Sequence, residues 1–251
     1  MNFSILTYNL LHNRAYARLG EILKIYKPDI ILLQEVDTKE DNLAFLEKFD
    51  YTLADYSNSF MYIDRVFGIA TFYNKKKFHL TQSKPIWLSR GLFEFIFDGL
   101  GKLRSILKTD FTCLSNNKKI TLYNMHLTAV GTNRVRINQI KQALKFCALE
   151  KMIPTIIAGD FNYPYRRKIL EKLMNKYDLK EGTKNLTYTF SPKKQASYIL
   201  LNKIISTIVK KFYHDRYKLD YIYYKKLRLI KTVRIDANVS DHFPILSNFQ
   251  I

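Results

Sequence analysis

Thr155-Ile156-Ile157-Ala158-Gly159-Asp160-Phe161-Asn162 sets the pattern by which the rest of the chain can be read. An apolar run that reads as a buried strand stops at a glycine and delivers two polar side chains, Asp160 and Asn162, at its end. The arrangement recurs along the chain. Ile5–Leu6 leads to Asn9, Ile30–Leu33 to Glu35 and Ile120–Tyr123 to His126, while Val239 precedes Ser240-Asp241-His242-Phe243-Pro244. A packed β core holds strand ends at fixed positions, so residues far apart in sequence can converge on one rim. Sites built on a rigid sheet have this geometry.

Outward from these strands, the pattern predicts an amphipathic helix over 15–26, with Leu19, Ile22, Leu23 and Tyr26 on one face and Pro28 beyond its end. A second is expected over 133–150 and a shorter third over 165–177. Further strands are expected at 67–73, 106–113, 219–224 and 245–249. Strands outnumber helices, and helices separate only some of them, which fits an α/β sandwich with a mixed sheet better than a fully parallel, doubly wound one. No linker, low-complexity tract or repeat divides the 251 residues, so one domain over 1–251 is expected. Two insert-like stretches stand apart: the apolar and aromatic 91–101, and 198–213, where Leu201, Ile204, Ile205, Ile208 and Phe212 share a helical face opposite lysines. Core or covering helix is one reading of them and membrane contact the other.

Bulk composition narrows the partners. A hydrophobic content of 47% excludes a disordered chain, and a formal charge of +19 favours polyanions: nucleic acid, an anionic membrane or a phosphorylated small molecule. AT-rich coding would raise lysine as well. Cys113 and Cys147 sit in apolar segments and read as buried thiols of a reducing compartment. Without a visible signal peptide or spanning segment, a cytoplasmic protein is expected, with peripheral membrane association if the apolar stretches face lipid.

Thr7-Tyr8-Asn9, Leu33-Gln34-Glu35-Val36, Asn124-Met125-His126-Leu127, Gly159-Asp160-Phe161-Asn162, Leu219-Asp220-Tyr221-Ile222 and Ser240-Asp241-His242 occur in this order across nearly the whole chain. Together they resemble the endonuclease/exonuclease/phosphatase superfamily. The resemblance implies a four-layered α/β sandwich, two packed mixed β-sheets flanked by helices, with the site at one edge. It also implies metal-dependent hydrolysis at phosphorus.

The residue types suit that chemistry on their own terms. An anionic phosphoester resists attack, so catalysis needs charge neutralisation, an activated water and a stabilised leaving oxygen. Glu35 offers a hard oxygen ligand suited to Mg²⁺, with Mn²⁺ as the alternative. Asn9 is placed to orient Glu35 or a metal-bound water, and Asp241 to add metal affinity. Asp160 and Asn162, two apart, are expected to share a side, one accepting a proton from water and the other donating a hydrogen bond to phosphate. His242 is expected at the phosphoryl oxygen, with Asp220 orienting its ring and favouring its protonated form, and His126 as a second donor. His12, His79 and His214 are expected to be exposed or structural.

The substrate is less narrowly drawn. The charge favours nucleic acid, with Lys102, Arg104, Arg134, Arg136, Arg166, Arg167, Lys193 and Lys194 as candidate phosphate binders. His126-Leu127-Thr128-Ala129, followed by Arg134 or Arg136 and Gln139, resembles the sphingomyelinase-like branch instead, although Leu103-Arg104-Ser105 departs from its common Lys-Gly pair. The expectation leans to a nuclease, with a lipid phosphodiesterase at a membrane surface as the alternative. An inactive binding module is a third class, disfavoured because every carboxylate and histidine the chemistry needs is present.

Overall fold

Two parallel strand pairs, each joined through a helix, form the centre of the fold. The computed structural model describes residues 1–88, 104–129, 131–191 and 216–251. The stretches 91–101 and 198–213, with Lys102, Lys193, Lys194 and His214, lie outside the described residues. Strand β1 (Asn2–Asn9), helix α1 (Tyr16–Tyr26) and strand β2 (Ile30–Asp37) make the first unit, Leu6 pairing with Ile31. Strand β7 (Lys119–His126), helix α3 (Asn133–Leu149) and strand β8 (Thr155–Asp160) make the second, Tyr123 pairing with Ile157. Between the units run α2 (Glu40–Ala44), a 3-10 helix (Phe45–Phe49), β3 (Thr52–Tyr62), β4 (Arg65–Tyr73), β5 (Phe78–Trp87) and β6 (Ser105–Cys113). After them come α4 (Arg167–Asn175), β9 (Lys180–Glu181), β10 (Asp220–Lys225), β11 (Arg228–Arg234) and β12 (Ile245–Gln250).

The strands form two mixed sheets of six, ordered β11-β12-β1-β2-β4-β3 and β5-β6-β7-β8-β10-β9. Alternation along each central strand sends one side chain between the sheets and the next outward. Ile5, Ile30, Leu32, Ile120, Leu122, Ile156 and Ala158 meet in the inter-sheet core. Leu6, Ile31 and Leu33 face out against Leu19, Ile22 and Leu23 of α1, and Tyr123, Met125 and Ile157 pack against Ile140, Leu144, Leu170 and Met174 of α3 and α4. Burial on both faces explains the near-continuous apolar runs, each such side chain contributing about 1.5–3 kcal/mol. The result is the expected four-layered sandwich. Among the described residues, no helix is long and apolar enough to cross a membrane.

Helices α1, α3 and α4 fall within two residues of the expected bounds, α2 and the 3-10 helix were not foreseen, and both cysteines are buried and free. Strands β3, β5 and β11 were not foreseen, and each is an edge strand of its sheet. Edge strands bury less and carry more polar side chains, and β5 even accommodates Pro85, so the apolar signal is diluted there.

A polar seam crosses the core where the sheets approach the rim. Gln34 Nε2 of the first sheet donates to Asn124 Oδ1 of the second at 2.8 Å. Asn124 Nδ2 in turn donates to the carbonyl oxygens of Leu33 at 3.1 Å and Ala70 at 3.0 Å. Beside this seam β2 bulges at Glu35, whose φ is 55°, shifting the register between Gln34 and Val36. Asn124→Ala removes the hydrogen bonds that run from one sheet to the other and leaves Gln34 Nε2 only its same-sheet acceptors, Thr7 Oγ1 at 3.2 Å and the Leu32 carbonyl at 3.1 Å. It is expected to destabilise the protein by about 2–4 kcal/mol, read as a lower denaturant midpoint at unchanged m-value; a loss under about 1 kcal/mol would show that the seam does not join the sheets energetically.

Candidate active site

The carboxyl ends of β1, β2, β7 and β8 lie at one rim, and they deliver Asn9, the bulged Glu35, His126 and Asp160. Asp220 opens β10 directly opposite Asp160 in the ladder. Ser240, Asp241 and His242 precede β12, which is antiparallel to β1 and begins beside the latter's end. Gly159 is indispensable to this approach: its φ is 136°, and an added Cβ would lie 2.0 Å from the Met125 carbonyl oxygen.

Asn9 ties the two sheets together. Its Nδ2 donates to Glu35 Oε1 at 3.2 Å and to Asp160 Oδ2 at 3.1 Å, while its Oδ1 accepts from the Leu11 backbone N–H. Asn162, in left-handed backbone with φ 48°, wraps Asp160. Its backbone N–H donates to Asp160 Oδ1 at 2.8 Å, and its Nδ2 reaches both Asp160 Oδ2 and the Leu127 carbonyl at 3.1 Å. Both amide hydrogens are therefore engaged in holding Asp160 and the Leu127 loop.

His242 Nδ1 lies 2.9 Å from Asp220 Oδ2, and its Nε2 lies 3.7 Å from Asp160 Oδ2. Burial by itself lowers the imidazole's proton affinity, but Asp220 and Asp160 outweigh it and hold His242 well above the ordinary histidine range. The opposite holds for His126, fully enclosed and facing Arg104, whose Nη1 lies 3.2 Å from Nδ1. Burial first and the guanidinium second keep His126 well below that range, hence neutral. Burial pushes the Asp160 carboxyl up to about 7, opposed by His242 and reinforced by Asp220. It raises Asp241 too, again against the pull of His242 and with Glu35 adding repulsion.

Several supporting residues were not foreseen. Thr189 Oγ1 donates to Asp220 Oδ2 at 2.7 Å and accepts from the Leu219 and Asp220 backbone N–H groups, fixing the carboxylate that faces His242. Phe190 sets its ring edge-on to the imidazole at 4.9 Å. Ser240 Oγ donates to the Asn9 carbonyl at 2.8 Å and accepts from the His242 N–H at 3.1 Å. No local pattern marks Thr189 or Phe190 in the sequence. Ser240 stands in the Ser240-Asp241-His242 motif, but its sequence gives it no role of its own. Two expectations change. Arg136 is buried and donates to the Thr128 and Ala129 carbonyls, so it shapes the loop after β7 instead of presenting a free cation. His12, expected to be exposed or structural, stands beside Glu35, with Nε2 at 3.4 Å from Oε2.

The donor set suits a hard divalent cation. Asp160 and Asp241 are buried and Glu35 stands half-buried beside them, so three carboxylates offer hard oxygen ligands at one rim. Asp160, Asp220 and His242 also come within coordinating reach of one another.

Residues 6–242 match the model of the Endonuclease/Exonuclease/phosphatase family. The chain belongs to this family. It is accordingly a metal-dependent phosphoric ester hydrolase. Solved structures share the fold over nearly the whole chain. The human Nocturnin catalytic domain with bound sulfate is 20% identical with a TM-score of 0.74, over 99% of this chain and 94% of that one. A mannosyl-6-phosphatase from Bacteroides thetaiotaomicron is 17% identical with a TM-score of 0.72, over 99% and 100%. ANGEL2, a 2',3'-cyclic phosphatase, is 15% identical with a TM-score of 0.73, over 99% and 95%. No curated protein sequence matches the chain.

Asp160 supplies a stability signature. Its folded-state affinity lies above the unfolded value of 3.8, so the native state bears a cost that is absent below pH 4 and develops as pH rises towards 7. Asp160→Asn lacks that charge. In metal-free protein the Tm of the variant relative to wild type should therefore shift upward by a few degrees between pH 5 and pH 8. A constant offset would mean that Asp160 ionises without strain.

Proposed function

We propose that the chain is a Mg²⁺-dependent phosphodiesterase that cleaves nucleic acid, working through Asp160 and the Asp220–His242 pair. The observation that carries this reading is the opposition of a buried carboxylate and a protonated imidazole across a 3.7 Å gap at the rim. Glu35 would hold the metal, with Asn9 aligning it and Asp241 adding negative charge nearby. The bound metal neutralises charge on the phosphoryl group and polarises it for attack.

Asp160, held by Asn9 and Asn162, accepts the proton of the attacking water. Its affinity near 7 suits a base working at neutral pH. His242 presents its Nε2–H to a phosphoryl oxygen, where charge develops as the water attacks. Asp220, fixed by Thr189, keeps that proton on the ring. His126 is neutral and offers one N–H to the same group, while Arg104 beside it adds fixed positive charge. The departing ester oxygen takes a proton from solvent, and Asp160 returns the proton it accepted to solvent, so the water is divided between the phosphate and the leaving alcohol.

The formal charge of +19 supports nucleic acid as the substrate, since phosphate contacts dominate such binding. Buried free thiols fit action in a reducing compartment. A second reading, a phosphodiesterase for phospholipid headgroups at an anionic membrane, has its own observation. Met61, Ile63 and Val66 of the β3–β4 hairpin are exposed, and so is Trp87 at the end of β5.

Purified protein should hydrolyse single-stranded or duplex nucleic acid in the presence of Mg²⁺, lose activity in EDTA and regain it with Mg²⁺ or Mn²⁺. Asp160→Ala and His242→Ala should each lower kcat by about 10³-fold or more while keeping the native circular dichroism spectrum. Release of phosphocholine from sphingomyelin vesicles, with nucleic acid left intact, would transfer the assignment to lipid. Full turnover without divalent metal would sink the mechanism.

A further inference from the structure

The Glu35 carboxylate has an unusual mounting. It sits on a bulge in left-handed backbone, so the ladder of β2 does not by itself aim its side chain. Its oxygens are held laterally instead. Oε1 accepts from Asn9 Nδ2, and Oε2 accepts from the His12 backbone N–H at 3.0 Å. The His12 imidazole closes the same side, Nε2 at 3.4 Å from Oε2.

That imidazole is fixed in place by more than this contact. It stacks on Tyr62 at 4.9 Å with 20° between the planes, and meets Phe67 at 5.3 Å and Phe60 at 5.6 Å edge to face. Phe60 and Phe67 stack on each other in turn. The backbone beneath is equally constrained. Leu11, His12 and Asn13 all have positive φ, near 51°, 52° and 65°, which non-glycine residues adopt only at a cost. Hydrogen bonds to Asn9 and Glu35 stitch this turn to the rim: Leu11 N–H to Asn9 Oδ1, and Asn13 N–H to the Glu35 carbonyl. Three strained residues and three rings thus converge to set one imidazole edge against one carboxylate oxygen.

From this geometry we infer that His12 is a positioning residue for Glu35, holding the carboxylate in the orientation that receives the metal. The inference rests on the proposed role of Glu35. Nδ1 of His12 is buried and has no hydrogen-bond partner among the described residues. A buried N–H without an acceptor costs more than a bare imine nitrogen, so the proton belongs on Nε2, facing Glu35. The same feature separates positioning from ligation. A metal-bound histidine donates its other ring N–H to a carboxylate or carbonyl, and the Nδ1 of His12 has none.

The test uses His12→Phe, which fills the aromatic clamp but lacks the ring nitrogen, and His12→Gln, which restores an N–H donor. Mg²⁺ binding is measured by calorimetry without substrate, alongside Tm and the Mg²⁺ dependence of turnover. His12→Phe should melt within a few degrees of wild type and bind Mg²⁺ about tenfold more weakly, the loss typical of a group that orients a metal ligand. Its kcat at saturating Mg²⁺ should fall less than the affinity does, and His12→Gln should recover part of that affinity. Unchanged Mg²⁺ binding in His12→Phe overturns the inference. So does a nitrogen hyperfine coupling that appears in Mn²⁺ electron paramagnetic resonance of the wild type and is lost in His12→Phe, because His12 would then be a ligand. Glu35→Gln separates the two levels: if it leaves Mg²⁺ binding intact, the role given to Glu35 fails, whatever His12 does.

Discussion

Two sheets that meet through apolar side chains must also meet through amides at the rim, and the arrangement of the site depends on that polar contact. Gln34 and Asn124 bridge the sheets just beneath the rim, and the buried Asn9 bridges them again at the rim by reaching from Glu35 to Asp160. Buried amides of this kind cost free energy unless every donor finds a partner, so they tolerate few relative placements of the two sheets. The apolar interior holds the layers together. The amides fix the register in which carboxylates from different sheets come into contact.

Electrostatics follow from that register. Asp160 and Asp220 pair across β8 and β10, and His242 enters from the segment before β12 to sit between them. A single imidazole then faces two buried carboxylates. The opposite states of the two site histidines have the same origin. Asp220 and Asp160 outweigh burial at His242, whereas burial and then the Arg104 guanidinium lower the proton affinity of His126. Identical side chains a few ångströms from the same carboxylate are thereby set to different tasks.

The central strands were legible because burial on both faces leaves continuous apolar runs, as in Ile30–Leu33 and Thr155–Ala158. Edge strands β3, β5 and β11 were not, because a half-covered edge mixes polar and apolar residues without a clean period. The motif residues were legible as strand-ending polar groups in a recurring order. His12 and Thr189 were not, since each acts through a contact with a residue more than twenty positions away, Glu35 and Asp220 respectively. Arg136 misled for a related reason: a cation beside a motif reads as a phosphate binder until its guanidinium is seen to be spent on backbone carbonyls.

The sequence by itself determined the alternation of buried strand and polar terminus, the pool of carboxylates, amides and imidazoles available to the site, and the family to which the chain belongs. Those properties are local: they depend on side-chain type and on periods of a few residues. Only the tertiary structure decided that burial and Arg104 keep His126 neutral, which asparagine is spent on a carboxylate, and that a histidine set among three aromatic rings faces Glu35. Proton affinity and hydrogen-bond partnership depend on burial and on neighbours brought close by sheet packing, and neither is encoded at any single position.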